Sequence, residues 1–255
     1  MARALHAEPA RSIAVMPNNE EAALEVWHSL DHAAAAFEAA TSINAEEQST
    51  DVEDEAAASS MPEPAATLDL GDGKPLPVLI PGSEQFANRL RKNARLRRKW
   101  AKREGVSCYR VYDADLPGYA AAIDLYAGAG EDEGKTFVHV AEYAAPSSID
   151  ELKARHRMSD ILAITPVVLG VPPERVFSKT RRRDRGGSQY RDAGDRSFVA
   201  TVEEDGSLFE VDLAGYVDTG IFLDHRDTRH MVGEMAAGGD FLNLFAYTGT
   251  ATVHA

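Results

Sequence analysis

Residues 241–255 read FLNLFAYTGTATVHA. The run from Phe241 to Leu244 has the composition of a buried strand. Thr248-Gly249-Thr250 is a tight turn of small residues, and the residues after it suit the first turn of a helix. Strand, glycine turn and helix start together form the opening unit of a nucleotide-binding α/β sheet, whose ligand lies beyond the carboxyl end of the strand. A dinucleotide cradle requires G-x-G-x-x-G so that a pyrophosphate can approach the backbone. Only Gly249 is present here, between two threonines, so the turn suits a smaller nucleoside-bearing ligand held by backbone groups and a few polar side chains. A strand-to-helix turn without a ligand is the alternative that the pattern leaves open.

A second chemistry is carried by charge. Between Phe86 and Arg110 stand ten Lys/Arg and one acid, and RVFSKTRRRDRGGSQYR (175–191) holds seven against one. Cations at this density suit phosphate contacts, and Gln189 and Tyr190 add groups able to meet a base. The candidates are Arg91, Lys92, Arg95, Arg98, Lys99, Lys102 and Arg103 in the first run and Arg181, Arg182, Arg183 and Arg185 in the second. A solvated face is the alternative for any such run. His28 and His32 lack a third ligand at a clear spacing, so no metal site is expected. Asp113 and Asp115 suit turn chemistry. Cys108 suits a strand core, and His225 and His230 read as helix residues. No nucleophile–base–orienter set stands out.

These residues need elements to position them. Residues 1–80 carry 15 Asp/Glu and 3 Lys/Arg, whereas residues 81–255 carry 26 and 24, so the overall charge of −14 belongs almost entirely to the first third. The spacing of Leu24, Trp27, Leu30, Ala34 and Phe37 predicts an amphipathic helix over 19–40, capped by Asn18 or Asn19. Residues 41–83, acidic and rich in Ser, Pro and Ala, read as a disordered linker, so 1–83 is taken as a helix plus an acidic tail. The basic run predicts a helix over 84–107 with Phe86, Leu90, Ala94, Leu96 and Trp100 as its apolar stripe and Gly105 as its stop. Residues 108–213 read as a small α+β domain. Its strands are CYRVYDA, YAAAIDLY and TFVHVAEY, followed by a helix over 148–169 opened by a Ser148–Glu151 capping box and kinked or shortened at Pro166. RVFSKT and a hairpin turning at Asp205-Gly206 complete it. Residues 214–255 read as a helix over 225–236 and then the strand–turn–helix start. The single cysteine fits a reducing cytoplasm. No apolar run approaches the ~20 residues of a membrane span, and no signal peptide is visible.

Three stretches resemble a known family. DFLNLFAYTGTATVHA looks like the first cofactor motif of S-adenosylmethionine-dependent RNA methyltransferases, and VDTGIFLDHRDTR looks like the F-L-D-x-R signature that precedes it. FANRLRKNARLRRKWAKREGVSCYRVYDADLPGY is similar to the start of the K half of the bifunctional bacterial 23S ribosomal RNA large subunit methyltransferases. The resemblance covers about residues 84–255. It implies an α+β substrate domain that binds RNA, followed by the start of an α/β Rossmann-like methyltransferase domain. It also implies methyl transfer from S-adenosylmethionine to nitrogen 7 of a guanine in 23S ribosomal RNA or its assembly precursor, with neither DNA nor membrane as partner. Asn243, Phe245, Tyr247, Thr248 and Gly249 would form the cofactor turn. Asp224 and Arg226 would border it, Arg226 facing the cofactor carboxylate. The family's acidic ribose ligand and Asp-Pro-Pro turn would lie beyond Ala255. The chain is therefore expected to be an internal piece, inactive by itself; a stand-alone module that binds structured RNA is the other reading.

Overall fold

The computed structural model describes residues 3–5, 13–14, 25–26, 62–71, 73–143, 149–181, 198–215, 218–244 and 246–255. Three short strands come first, β1 (Arg3–Leu5), β2 (Ile13–Ala14) and β3 (Glu25–Val26). The predicted helix over 19–40 lies outside the described residues except at Glu25–Val26, which are extended and pair with Phe177–Ser178. There the open backbone groups of a sheet edge, which need partners, outweigh helical propensity.

The predicted linker is ordered over about its second half. Strands β4 (Ala66–Asp69) and β5 (Pro75–Val78) form an antiparallel hairpin that buries Leu68, Leu76 and Val78. Composition averaged over 41–83 hides this short alternating stretch. The hairpin is fastened through Asp160, whose carboxylate accepts from Leu79 N at 2.8 Å and Ile80 N at 3.0 Å and lies 2.6 Å from Ser83 Oγ.

Helix α1 (Glu84–Glu104) comes next and stops at Gly105. It buries Phe86, Ala87, Leu90 and Ala101, with Ala94 and Trp100 half-buried, but Leu96 of the predicted stripe is 52% exposed. The central strands are β6 (Cys108–Asp113), β7 (Ala121–Ala127), β8 (Thr136–Tyr143) and β9 (Val176–Arg181). The first three run antiparallel in sequence, and β8 pairs with β9 in parallel across helix α2 (Glu151–Leu169). The cap of α2 is Asp150, whose side chain accepts from Lys153 N, rather than Ser148, which lies outside the described residues. The helix runs on through Pro166, which is buried, to Leu169.

Strands β10 (Val199–Glu204) and β11 (Ser207–Asp212) form the predicted hairpin. Asp205 and Gly206 have φ of +50° and +76°, the two successive left-handed residues that a tight hairpin with native twist needs. One face of the central sheet packs Val111, Ile123, Val138 and Val140 against α1, α2 and the β4–β5 hairpin. The other packs Cys108, Tyr126, Phe137 and Phe177 against Val202, Phe209 and Val211 of the β10–β11 hairpin. Helices α3 (Arg226–Ala236) and α4 (Thr250–His254) complete the described chain, with Val253 entering this second core.

Candidate cofactor turn and nucleic-acid interface

The candidate cofactor turn is assembled against residues 220–222. Gly249 N donates to Ala246 O at 2.8 Å to close the turn, and Val253 N donates to Gly249 O at 3.1 Å to begin α4. Gly249 has φ +74°, which favours glycine, and Tyr247, at +54°, shares the left-handed region. The buried Thr248 hydroxyl donates to Gly220 O at 2.6 Å, tying the turn to the segment before α3. Asn243 Nδ2 donates to Thr252 Oγ1 at 2.8 Å, and the ring of Tyr247 lies 5.2 Å from that of Phe222. Asp224 stands exposed two residues further on. Phe245 lies outside the described residues.

Two expectations need correction. Phe241–Leu244 are not a strand: Phe241, Leu242 and Leu244 are 41%, 80% and 69% exposed. A strand exists only within a hydrogen-bonded ladder, and among the described residues none runs beside this one. Arg226, expected to face a cofactor carboxylate, is turned the other way. Its Nη2 donates to Cys108 O at 2.6 Å, Nε lies 3.7 Å from Glu204, and the guanidinium sits 5.8 Å from the Trp100 ring centre. A buried carboxylate and a strand-end carbonyl compete for this side chain before any ligand can.

Glu204 is the hub that the sequence reading missed. This buried carboxylate accepts from Arg229 Nε at 2.6 Å and Nη2 at 2.9 Å, while Arg229 Nη1 donates to Phe222 O at 2.8 Å. His254 Nε2 approaches Glu204 to 3.4 Å. Burial alone would raise the carboxyl pKa, but His254 and Arg229 outweigh it and hold it down at about 2. The hairpin end thus grips both α3 and α4. The only sequence signal for it was an arginine in the middle of α3, which local pattern assigns to solvent. Cys108, beneath Arg226, is buried, and its thiol is pushed up to about 11, so it is an inert core group.

The basic run stands as a row of cations. Arg91, Lys92, Arg95, Arg98, Lys99, Lys102 and Arg103 are all exposed on α1, together with Arg89 and Arg97. Arg91 donates to Leu70 O and Asn88, and Arg103 to Glu104. Arg95, Arg97, Arg98, Lys99 and Lys102 have no hydrogen-bond or ion-pair partner among the described residues. Arg181 ends β9, while its side chain and all of Arg182, Arg183 and Arg185 lie outside the described residues. Trp100, near the C-terminal end of the cationic helix, meets Arg226 at the start of α3.

Residues 128–255 match the family of S-adenosylmethionine-dependent methyltransferases. The chain belongs to that family. This methyltransferase chain is 51% identical over 184 residues to the ribosomal RNA large subunit methyltransferase K/L of Allochromatium vinosum, covering 71% of this chain and 24% of that protein. It is 53% identical over 173 residues to the protein of the same name from Methylococcus capsulatus, covering 68% and 23%. The chain therefore spans about a quarter of the length of these curated relatives. A solved structure from Streptococcus mutans, provisionally named a SAM-dependent methyltransferase, matches at 24% identity over 68% of this chain and 41% of that one, with a TM-score of 0.48.

The family's cofactor is S-adenosylmethionine, and the donor set of the methyltransferase turn fits part of it. Asp224 offers an exposed acceptor and Tyr247 a half-exposed ring, whereas Gly249 is buried. The Thr248 hydroxyl and the Asn243 amide, by contrast, already serve the turn itself. The described residues make one wall, without an opposing one.

Proposed function

We propose that this chain supplies the RNA-binding domain and the cofactor turn of a methyltransferase that modifies nitrogen 7 of a guanine in 23S ribosomal RNA. The observation that carries the reading is the row of exposed cations along α1 in a chain of the methyltransferase family. Phosphates would meet Arg91, Lys92, Arg95, Arg98, Lys99, Lys102 and Arg103, with Arg181, Arg182, Arg183 and Arg185 as a second contact. Asp224, Asn243, Tyr247, Thr248 and Gly249, with Phe245 from the motif, would border the cofactor. The methyl group of S-adenosylmethionine is already activated on a sulfonium, so the chain's task is to place the accepting nitrogen in line with it. The likeness to the two ribosomal RNA methyltransferases supports RNA as the substrate class.

An open, one-walled site favours binding without turnover by this chain alone. Labelled S-adenosylmethionine incubated with the chain and unmodified large-subunit RNA should leave only background counts in the RNA, and the same RNA should be retained in a filter-binding assay. Enzyme-dependent counts at a guanine would overturn the expectation of inactivity. Absence of RNA binding would remove the proposal itself. Retention without any detectable cofactor affinity would favour the stand-alone RNA-binding module.

A further inference from the structure

Both ring nitrogens of His254 face oxygen atoms that can only accept. Nδ1 lies 2.8 Å from the Thr250 carbonyl oxygen. Nε2 lies 3.4 Å from Glu204 Oε1 and 3.7 Å from Asp205 Oδ2. A neutral imidazole carries one N–H, so one nitrogen would present a lone pair to an oxygen; an imidazolium carries two. The side chain is 4% exposed, and its ring stacks on Phe209 with centroids 5.6 Å apart, so water cannot fill the second position. The contact with Glu204 is long for a hydrogen bond, which makes the attraction ionic.

We propose that His254 is an imidazolium in the assembled protein and acts as a positioning residue, its charge fastening the helix behind the cofactor turn to Glu204 and Asp205 of the β10–β11 hairpin. Every element packed around it supplies charge. The hairpin brings Glu204 and Asp205. Helix α3 brings Arg229 and Arg226, which compete for Glu204, and His230, which shares Asp205 at 3.2 Å. Close packing holds the arrangement: a Cβ added at Gly233 of α3 would stand 2.7 Å from His254 O.

The consequence reaches the turn. Thr248 and Gly249 are held from one side by Gly220 and from the other by α4, whose only ionic attachment among the described residues is His254. Burial lowers the His254 pKa, but Glu204 and the Thr250 carbonyl raise it further, so the net shift is upward. A raised histidine pKa gives stability that is complete below the unfolded value of 6.5 and is lost as pH rises through the folded one. The β10–β11 hairpin and the helix behind the turn are therefore coupled most tightly below pH 6.5, as long as Glu204 stays ionised. The reading of the turn as a cofactor element rests on the function proposed above; the ionisation of His254 does not.

The test is nitrogen-15 NMR of the imidazole rings in the full chain, with amide hydrogen exchange of residues 250–255 followed against pH. Both His254 nitrogens should be protonated at pH 6.5, with a titration midpoint above 6.5. Exchange over 250–255 should then accelerate roughly tenfold beyond its intrinsic pH dependence as His254 deprotonates, while β7 and β8 stay protected. His254→Gln, which keeps a donor without the charge, should remove the additional pH dependence. A midpoint at or below 6.5, or exchange over 250–255 that ignores the titration, would overturn the proposal. The wild-type titration decides it even if the variant does not fold. A loss of RNA binding in the filter assay would leave this result standing.

Discussion

At the scale of single residues, the strongest constraints are buried carboxylates with several donors. Asp160 joins α2 to the turn after β5 through Leu79, Ile80 and Ser83. Asp160→Ala leaves these donors buried with no acceptor, and unsatisfied buried donors cost about 1–3 kcal/mol each before relaxation. Chemical denaturation should show a loss of about 3 kcal/mol, with the denaturant midpoint falling at unchanged m-value. Arg226 supports a sharper prediction. Because its guanidinium is bonded to Cys108 O and lies against Trp100, Arg226→Ala should lower the melting temperature and leave S-adenosylmethionine affinity, whatever its size, unchanged within twofold by calorimetry. Arg226→Lys should restore little, because an ammonium cannot reproduce the planar contact.

At the scale of the element, α1 has two unlike faces. Its inward face is Phe86, Ala87, Leu90 and Ala101, with Phe86 stacked on Tyr119 at 5.0 Å. Outward, Arg91, Arg95, Arg98 and Lys102 recur at spacings of four, three and four, so they share one stripe spanning about 16 Å. Lys92, Lys99 and Arg103 lie on the adjacent flank. Only one stripe can lie along one phosphate chain. Reversing Arg95 and Arg98 to glutamate should weaken binding to large-subunit RNA at least tenfold, while reversing Lys92 and Lys99 should have a smaller effect. With about four phosphates engaged, log affinity should fall against log salt with a slope of roughly 3. A flat salt response in filter binding would mean that the cations only solvate the helix.

At the scale of the whole molecule, the β10–β11 hairpin is held to α3 and α4 by ionised groups, so their attachment depends on pH in two directions. Glu204 is held down at about 2 against an ordinary 4.5. An acid with a depressed pKa contributes stability above its unfolded value, and that contribution disappears as pH falls through the folded one. The attachment of α3 and α4 should thus weaken between pH 4.5 and about 2, by on the order of 3 kcal/mol. Melting curves of wild type should drop through this window, and Glu204→Gln should be less stable at pH 7 but far less sensitive to acid. Near neutrality the raised His254 pKa acts with the opposite sign, so the attachment is strongest between the two limits.

Much of this architecture was legible in residue order, because its signals are local. The alternation in TFVHVAEY, the Asp205-Gly206 turn and the long basic helix ending at Gly105 each depend on neighbours within a few residues, and each appears where it was read. The glycine turn at Thr248-Gly249 and the helix start after it were also legible, because a left-handed glycine before a helix is a local device. Tertiary structure decided the rest. Leu68, Leu76 and Val78 become a hairpin only because α1 and α2 give them a surface to cover, and Phe241–Leu244 fail to become a strand because no described strand pairs with them. Arg226 looks like a ligand partner in sequence and becomes a brace because Glu204 and Cys108, 22 and 118 positions earlier, come within its reach. Charges act through space and strands through ladders. Which carboxylate a cation finds is therefore fixed only when distant segments meet.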